Sequence, residues 1–247
     1  MASPTEQFNI KPLVPLKLLG FDASFTNSSL FMVLATIVSS GFLIWAMGGK
    51  ALIPSRIQSI AEIAYEFVAN MLRQAAGDHA MKFFPLVFSL FIFIFTVNML
   101  GMIPYAFTAT SHLIIAVALA AIVFITVLVV GFAKNGFRFL KLFVPSGVPI
   151  YMMPIVVPIE VISFLSRPVS HSMRLFANML AGHIALKVFA GFIVMLLSAG
   201  AWVALSPLPL LMAIALTALE FLVAFLQAYV FSMLTCMYLN DALHPGH

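Results

Sequence analysis

The stretch SRPVSHSMRLFANMLAGH, Ser166 to His183, carries two arginines, two histidines and an asparagine within a strongly apolar region. The run around it stays helix-compatible from about Met153 to Ala199, with Pro154, Pro158 and Pro168 as points where it can kink. At 1.5 Å per residue, some 45 residues reach roughly 68 Å, over twice the hydrocarbon thickness of a bilayer. Such a helix must tilt steeply or lie almost in the membrane plane. Each unpaired charge near the bilayer centre costs from about 2.5 to over 10 kcal/mol. A helix that keeps so many of them has a use for them.

The chain as a whole explains why a membrane is the setting. Its 247 residues are 63% hydrophobic and 8% charged, with a mean hydropathy of +1.14. Soluble domains carry about a quarter charged residues, so the sequence predicts an all-α integral membrane protein. Twelve basic against eight acidic residues give a net charge of +4, which reads as loop bias in a membrane protein and not as a nucleic-acid surface. The only cysteine, Cys236, sits in the apolar run FSMLTCMYL, so no internal disulfide and no thiolate metal pair is expected. Neither a cofactor nor a metal is expected on this chain.

Spans follow from asking where about 20 apolar residues run together. Residues 1–28 read as a polar N-terminal tail without a cleavable signal, and residues 29–247 as a single membrane domain. Within it, 29–49, 83–104 and 112–133 are spans, the last two forming a hairpin. The segments 153–199 and 208–240 are long tilted helices, which makes five crossings. The segment 55–77 is too charged to cross. There Ser59, Glu62, Glu66, Asn70 and Arg73 recur every three or four positions while Ile60, Ile63, Phe67, Met71 and Leu72 cover the other side, the pattern of an amphipathic helix lying in the interface.

Orientation follows the lysines and arginines of short loops. Lys50, Arg56, Arg73 and Lys82 flank the interfacial helix, and Lys134, Arg138 and Lys141 follow the hairpin. Only Lys11 and Lys17 precede the first span, and the turns at 108–112 and 200–210 carry none. The N-terminus is therefore expected outside and the C-terminus in the cytoplasm.

On a helical wheel of about 100° per residue, Glu160, Arg167, His171 and Asn178 fall within about 60° of Arg174, while His183 and Lys187 lie on the other side. On the last helix Glu220 and Gln227 share a face. The chemistry separates these groups. A guanidinium keeps its proton at every biological pH, so Arg174 acts only as a fixed charge. Carboxylates and imidazoles titrate where burial and neighbours move them, which makes Glu220, His183 and Glu160 the candidates for proton relay. Arg167, beside Pro168, and Lys187 can snorkel along their stems, and His171 can serve as a helix contact. Asn98, in FTVNMLGMIP, reads as interhelical glue.

Together SRPVSHSMRLFANMLAGH, Glu160, the segment LQAYVFSMLTCMYL with Gln227, and FTVNMLGMIP resemble subunit a of the membrane sector of rotary F-type ATP synthases over roughly residues 55–240. The resemblance implies a proton-translocating stator in a bacterial inner membrane, with the mitochondrial inner membrane as the alternative. It implies a ring of c subunits, each with one carboxylate, and b-type peripheral stalk subunits as partners within an ATP synthase complex embedded in the lipid bilayer. By the same resemblance Arg174 matches the essential arginine. Asn178, His183, Glu220 and Gln227 match the outer half-channel, and Glu160 matches an acidic residue near the cytoplasmic exit. His183 and Glu220 stand in the opposite order to that of some bacterial members. The chain lacks GxxxxGK[ST], so as a subunit it is expected to do no nucleotide chemistry itself. A self-contained ion channel or secondary transporter is the alternative, although the sequence has no inverted repeat. An intramembrane enzyme finds no GxSx, paired-aspartate or HExxH motif.

Overall fold

The computed structural model describes residues 12–15, 17–18, 21–22, 24–48, 55–103, 107–144, 150–198 and 200–243. Lys11, Lys50, Pro104 and Ala199, which enter the reading above, lie outside them. Among the described residues the helices are α1 (Asn27–Met47), α2 (Arg56–Ala76), α3 (Phe84–Gly101), α4 (Leu113–Asn135), α5 (Met153–Ser198) and α6 (Pro207–Leu243). Among the described residues, five segments are long and apolar enough to cross a membrane: Asn27–Met47, Asp78–Gly101, Leu113–Leu140, Met153–Ser198 and Val203–Leu243. The protein is thus all-α and built for a bilayer, where a helix satisfies its own backbone groups. Helix α5 runs through Pro158 and Pro168 without ending, and Pro154 falls in its first turn, where a missing N–H costs nothing.

The stretch read as a polar N-terminal tail holds local structure among its described residues. It contains four short strands, β1 (Pro12–Val14), β2 (Lys17–Leu18), β3 (Phe21–Asp22) and β4 (Phe25–Thr26), paired antiparallel as β1 with β4 and β2 with β3. Lys17 stands opposite Asp22 and Leu18 opposite Phe21. Such short ladders give no periodic signal in the sequence, and a charge-based reading of the segment overlooks them.

Helix α2 is capped at both ends, and its packing face is not quite the one the periodicity suggested. The Ser55 side chain accepts from the Gln58 N–H at 3.3 Å, and Gly77, at φ 74°, closes the helix by donating to the Arg73 carbonyl at 3.0 Å, a backbone conformation glycine adopts without strain. Ala61, Val68, Met71 and Leu72 are buried, whereas Ile60 is 57% and Ile63 65% exposed. Small alanines let the helix approach its neighbours closely, and the two isoleucines flank that seam on the open side. That apolar side suits a helix lying in an interface.

By contacts the chain divides into two compact units. One comprises Met1–Ser39, Phe93–Leu113 and Arg174–Gln227. Its interior holds Ile94, Val97, Leu175, Met179 and Ala224 together with the polar Asn98, Thr108 and Thr110. The other comprises Ser40–Ile92, Ile114–Met173 and Ala228–His247. Its interior is aromatic: Phe139 is wholly buried, packs on Gly131, and lies near Phe132, Phe143 and Phe164, with ring centroids 5.0, 6.4 and 6.3 Å away. Asn135 Nδ2 donates to the Ala242 carbonyl at 2.7 Å, tying the end of α4 to the end of α6.

Candidate functional site

In the first unit, α5 separates its residues by face. Leu175, Met179 and His183, spaced four apart, are buried, while Arg174 and Asn178 are exposed. This is the division the wheel predicts for Arg174 and His183. No ion pair joins Arg174 to another described residue, so its charge is turned outward from this chain. Asn178 reaches back: its Nδ2 donates to Oε1 of the buried Gln227 at 2.9 Å. One turn further, α5 comes close to α6 where Gly182 has no side chain. A Cβ there would meet Glu220 Oε1 at 2.5 Å and Cδ at 3.1 Å. Glu220 Oε1 is itself buried, with no hydrogen-bond partner among the described residues.

His183 finds its partner on a third element. Its Nε2 lies 3.0 Å from Oγ1 of Thr108, in the turn between α3 and α4. Asn98 does act as glue: Nδ2 donates to the Ala224 carbonyl at 3.4 Å and Oδ1 accepts from Thr110 Oγ1 at 3.0 Å. Lys187, one turn past His183, is half-buried. The unit therefore brings a carboxylate and an amide pair to the contact of α5 with α6, and an imidazole and a hydroxyl to the contact of α5 with the α3–α4 turn, beside an exposed guanidinium. Groups of this kind, inside an apolar protein, can pass protons.

The second unit holds the remaining candidates and corrects the single long stripe. Arg167 Nη1 lies 2.6 Å from Asp241 Oδ2, and its guanidinium stands 5.4 Å from the Phe164 ring centroid and 5.1 Å from that of Tyr238. Its charge is held by a partner on α6. His171 is 3% exposed, with its ring centroid 3.8 Å from that of Phe231 and 6.1 Å from that of Tyr238. Of the five residues assigned to one face, His171 is thus buried among rings, Glu160 and Arg167 are half-buried, and only Arg174 and Asn178 are exposed. The wheel places His171 about 60° from Arg174, enough to turn it into the packed side.

The sequence reading missed Asp241, Thr108 and Gly182. Asp241 was legible, since an acid near the end of α6 faces the start of α5 in any antiparallel hairpin. Arg167→Gln and Asp241→Asn are each expected to lower the thermal unfolding midpoint. Each leaves a partly buried charge alone, at a cost of about 1–3 kcal/mol. The double variant should lose little more than either single one, and additive losses would show that the contact contributes nothing.

Residues 29–240 match the family model described as ATP synthase A chain. The chain is 64% identical over 245 residues to the ATP synthase subunit a of Mesorhizobium japonicum, covering 99% of this chain and 97% of that protein. It is 62% identical over 244 residues to that of Rhizobium etli, covering 98% of each, and 60% identical over 256 residues to that of Maricaulis maris, covering 99% of this chain and 98% of that protein.

Proposed function

The chain belongs to the ATP synthase A chain family, and from that premise we propose that it is the proton-conducting stator of a rotary ATP synthase, with two offset half-channels kept apart by Arg174. Membership makes it a multi-pass subunit of the membrane sector of an ATP synthase. The observation that supports the finer reading is the exposed Arg174, without an ion-pair partner among the described residues, beside titratable and amide groups. A fixed cation turned outward suits a moving carboxylate on another subunit.

On this reading a proton enters from outside through Glu220 and His183, with Asn178 and Gln227 lining the way. It passes to a carboxylate of the c-ring, travels round with the ring and leaves near Glu160. Arg174 favours the ionised ring carboxylate as it passes and so drives release. Each charge moved supplies about 2.3 kcal/mol per 100 mV, so several protons serve each ATP made elsewhere in the complex. The protein sits in a bacterial inner membrane with its N-terminus outside and its C-terminus in the cytoplasm, against the c-ring and b-type stalk subunits.

The test is a double-mutant cycle on ATP-driven proton pumping in inverted vesicles. His183→Glu and Glu220→His are each expected to slow pumping, and the two together to recover more of it than either alone, because the pair then keeps one carboxylate and one imidazole. Additive losses without recovery would mean that the two side chains do not share a path.

A further inference from the structure

The last carbonyls of a helix lack partners within it, and at the end of α3 that of Gly101 accepts from the Thr108 hydroxyl at 3.2 Å. The same oxygen, Thr108 Oγ1, lies 3.0 Å from Nε2 of His183. Thr108 has no exposed surface and His183 is 9% exposed, so bulk water competes little for either bond. A backbone carbonyl only accepts, and a threonine hydroxyl has one proton to give. The two contacts are satisfied together in one way only: the hydroxyl gives its proton to Gly101, Oγ1 accepts from His183, and Nε2 carries a hydrogen.

The local chain holds the hydroxyl in this place. Ser111 Oγ donates to the Thr108 carbonyl at 2.6 Å. Gly101 leaves room that a side chain would take, since a Cβ there would come within 2.7 Å of Thr108 Cγ2 and 3.1 Å of Oγ1.

Resting on the reading of His183 as a proton-carrying group, we propose that Thr108 is a positioning residue that keeps Nε2 of His183 protonated, so that Nδ1 is the atom at which the transported proton binds and leaves. In the neutral ring Nε2 bears hydrogen and Nδ1 a lone pair; in the imidazolium both bear hydrogen. The bond to Thr108 therefore survives both states. On uptake an N–H bond forms at Nδ1 as an O–H bond of the donor, a water or a carboxylic acid, breaks. On release the same N–H bond breaks and the next oxygen takes the proton. Entry at one ring nitrogen and exit at the other would require Nε2 to deprotonate and Thr108 to turn away from Gly101. The titratable groups of the surrounding elements are Glu220 on α6, against Gly182, Lys187 one turn along α5, and His112, which ends the Thr108 turn. Each changes how readily the ring takes a proton without choosing the nitrogen.

Nitrogen-15 NMR of the whole complex in membranes, with labelled histidine and His183 identified by its loss in His183→Gln, reads the tautomer directly. The neutral ring is expected to show a protonated Nε2 and a bare Nδ1, and a neutral ring protonated at Nδ1 would overturn the proposal without any variant of Thr108. Thr108→Val is expected to give a mixture of tautomers and to slow coupled pumping about fivefold, the worth of a typical hydrogen bond. Thr108→Ser should restore both. Slower pumping in both variants with an unchanged tautomer would reduce Thr108 to packing and overturn the proposal. Undiminished pumping in His183→Gln would instead overturn the proton path on which it rests, leaving the tautomer measurement standing, so the two failures are distinguishable.

Discussion

Replacing Arg174 by alanine is expected to abolish ATP-driven proton pumping and proton-driven ATP synthesis while leaving the complex assembled. Assembly should survive because Arg174 is exposed and has no ion-pair partner among the described residues, so its removal strands no buried charge within this chain. Function should not survive, because nothing else on the exposed row supplies a permanent cation. Two unit charges about 4 Å apart at an effective dielectric constant near 20 interact by about 4 kcal/mol. On the proposed mechanism, losing that attraction at the passing ring carboxylate is expected to slow proton release roughly a thousandfold. Arg174→Lys should fail nearly as completely, since an ammonium is a smaller, more strongly hydrated charge and can lose its proton when desolvated. Arg167→Gln should be far milder in pumping, because the Arg167 charge is already engaged by Asp241 at 2.6 Å. The measurement is acidification of inverted vesicles at matched amounts of assembled complex. Substantial coupled turnover in Arg174→Ala would end the assignment of this residue as the barrier.

The helices were legible because a bilayer leaves the chain few choices. Apolar runs long enough to cross, charges that forbid α2 from crossing, and the length of α5 all follow from composition and rise per residue. The opposite faces of Arg174 and His183 followed from helical periodicity alone. What periodicity cannot give is which neighbour covers a face. His171 shares an arc with Arg174 on the wheel, yet the rings of Phe231 and Tyr238 cover it, and only the hairpin partner decides that. Thr108 was unreadable for a related reason. It lies 75 residues from His183 in the chain, in a turn with no charge to draw notice, and a hydroxyl in a turn has many local uses. The α5–α6 contacts were closer to reach. Within the first unit, Asn178 with Gln227 and Gly182 with Glu220 advance along one helix as they retreat along the other. Placing Glu220 beside Gly182 needed only that register, which the short turn at Gly200, with φ 62°, makes possible.

That register carries the remaining prediction, which separates the chemistry of Glu220 from the packing around it. Glu220→Gln keeps the shape of the side chain and removes its titratable proton, and is expected to slow coupled pumping on the order of a hundredfold, near the lower end of what a positioned proton-transfer group contributes. Gly182→Ala leaves the carboxylate in the chain but moves it. The added methyl would stand 2.5 Å from Glu220 Oε1 and 3.1 Å from Cδ, closer than packed atoms permit. The obstacle is the far end of a flexible side chain, so the carboxylate swings aside and the helices stay in register. Assembly and thermal stability should therefore be nearly normal, while pumping falls about tenfold, as expected when a proton donor and acceptor drift out of hydrogen-bond reach. The decisive comparison is Gly182→Ala made in the Glu220→Gln background. If the methyl acts through the carboxylate, it costs almost nothing once the carboxylate has gone, and the double variant pumps like Glu220→Gln alone. If it costs the same tenfold there, Gly182 matters for helix packing in its own right, and the carboxylate is not the group that the close approach of α5 and α6 serves to place.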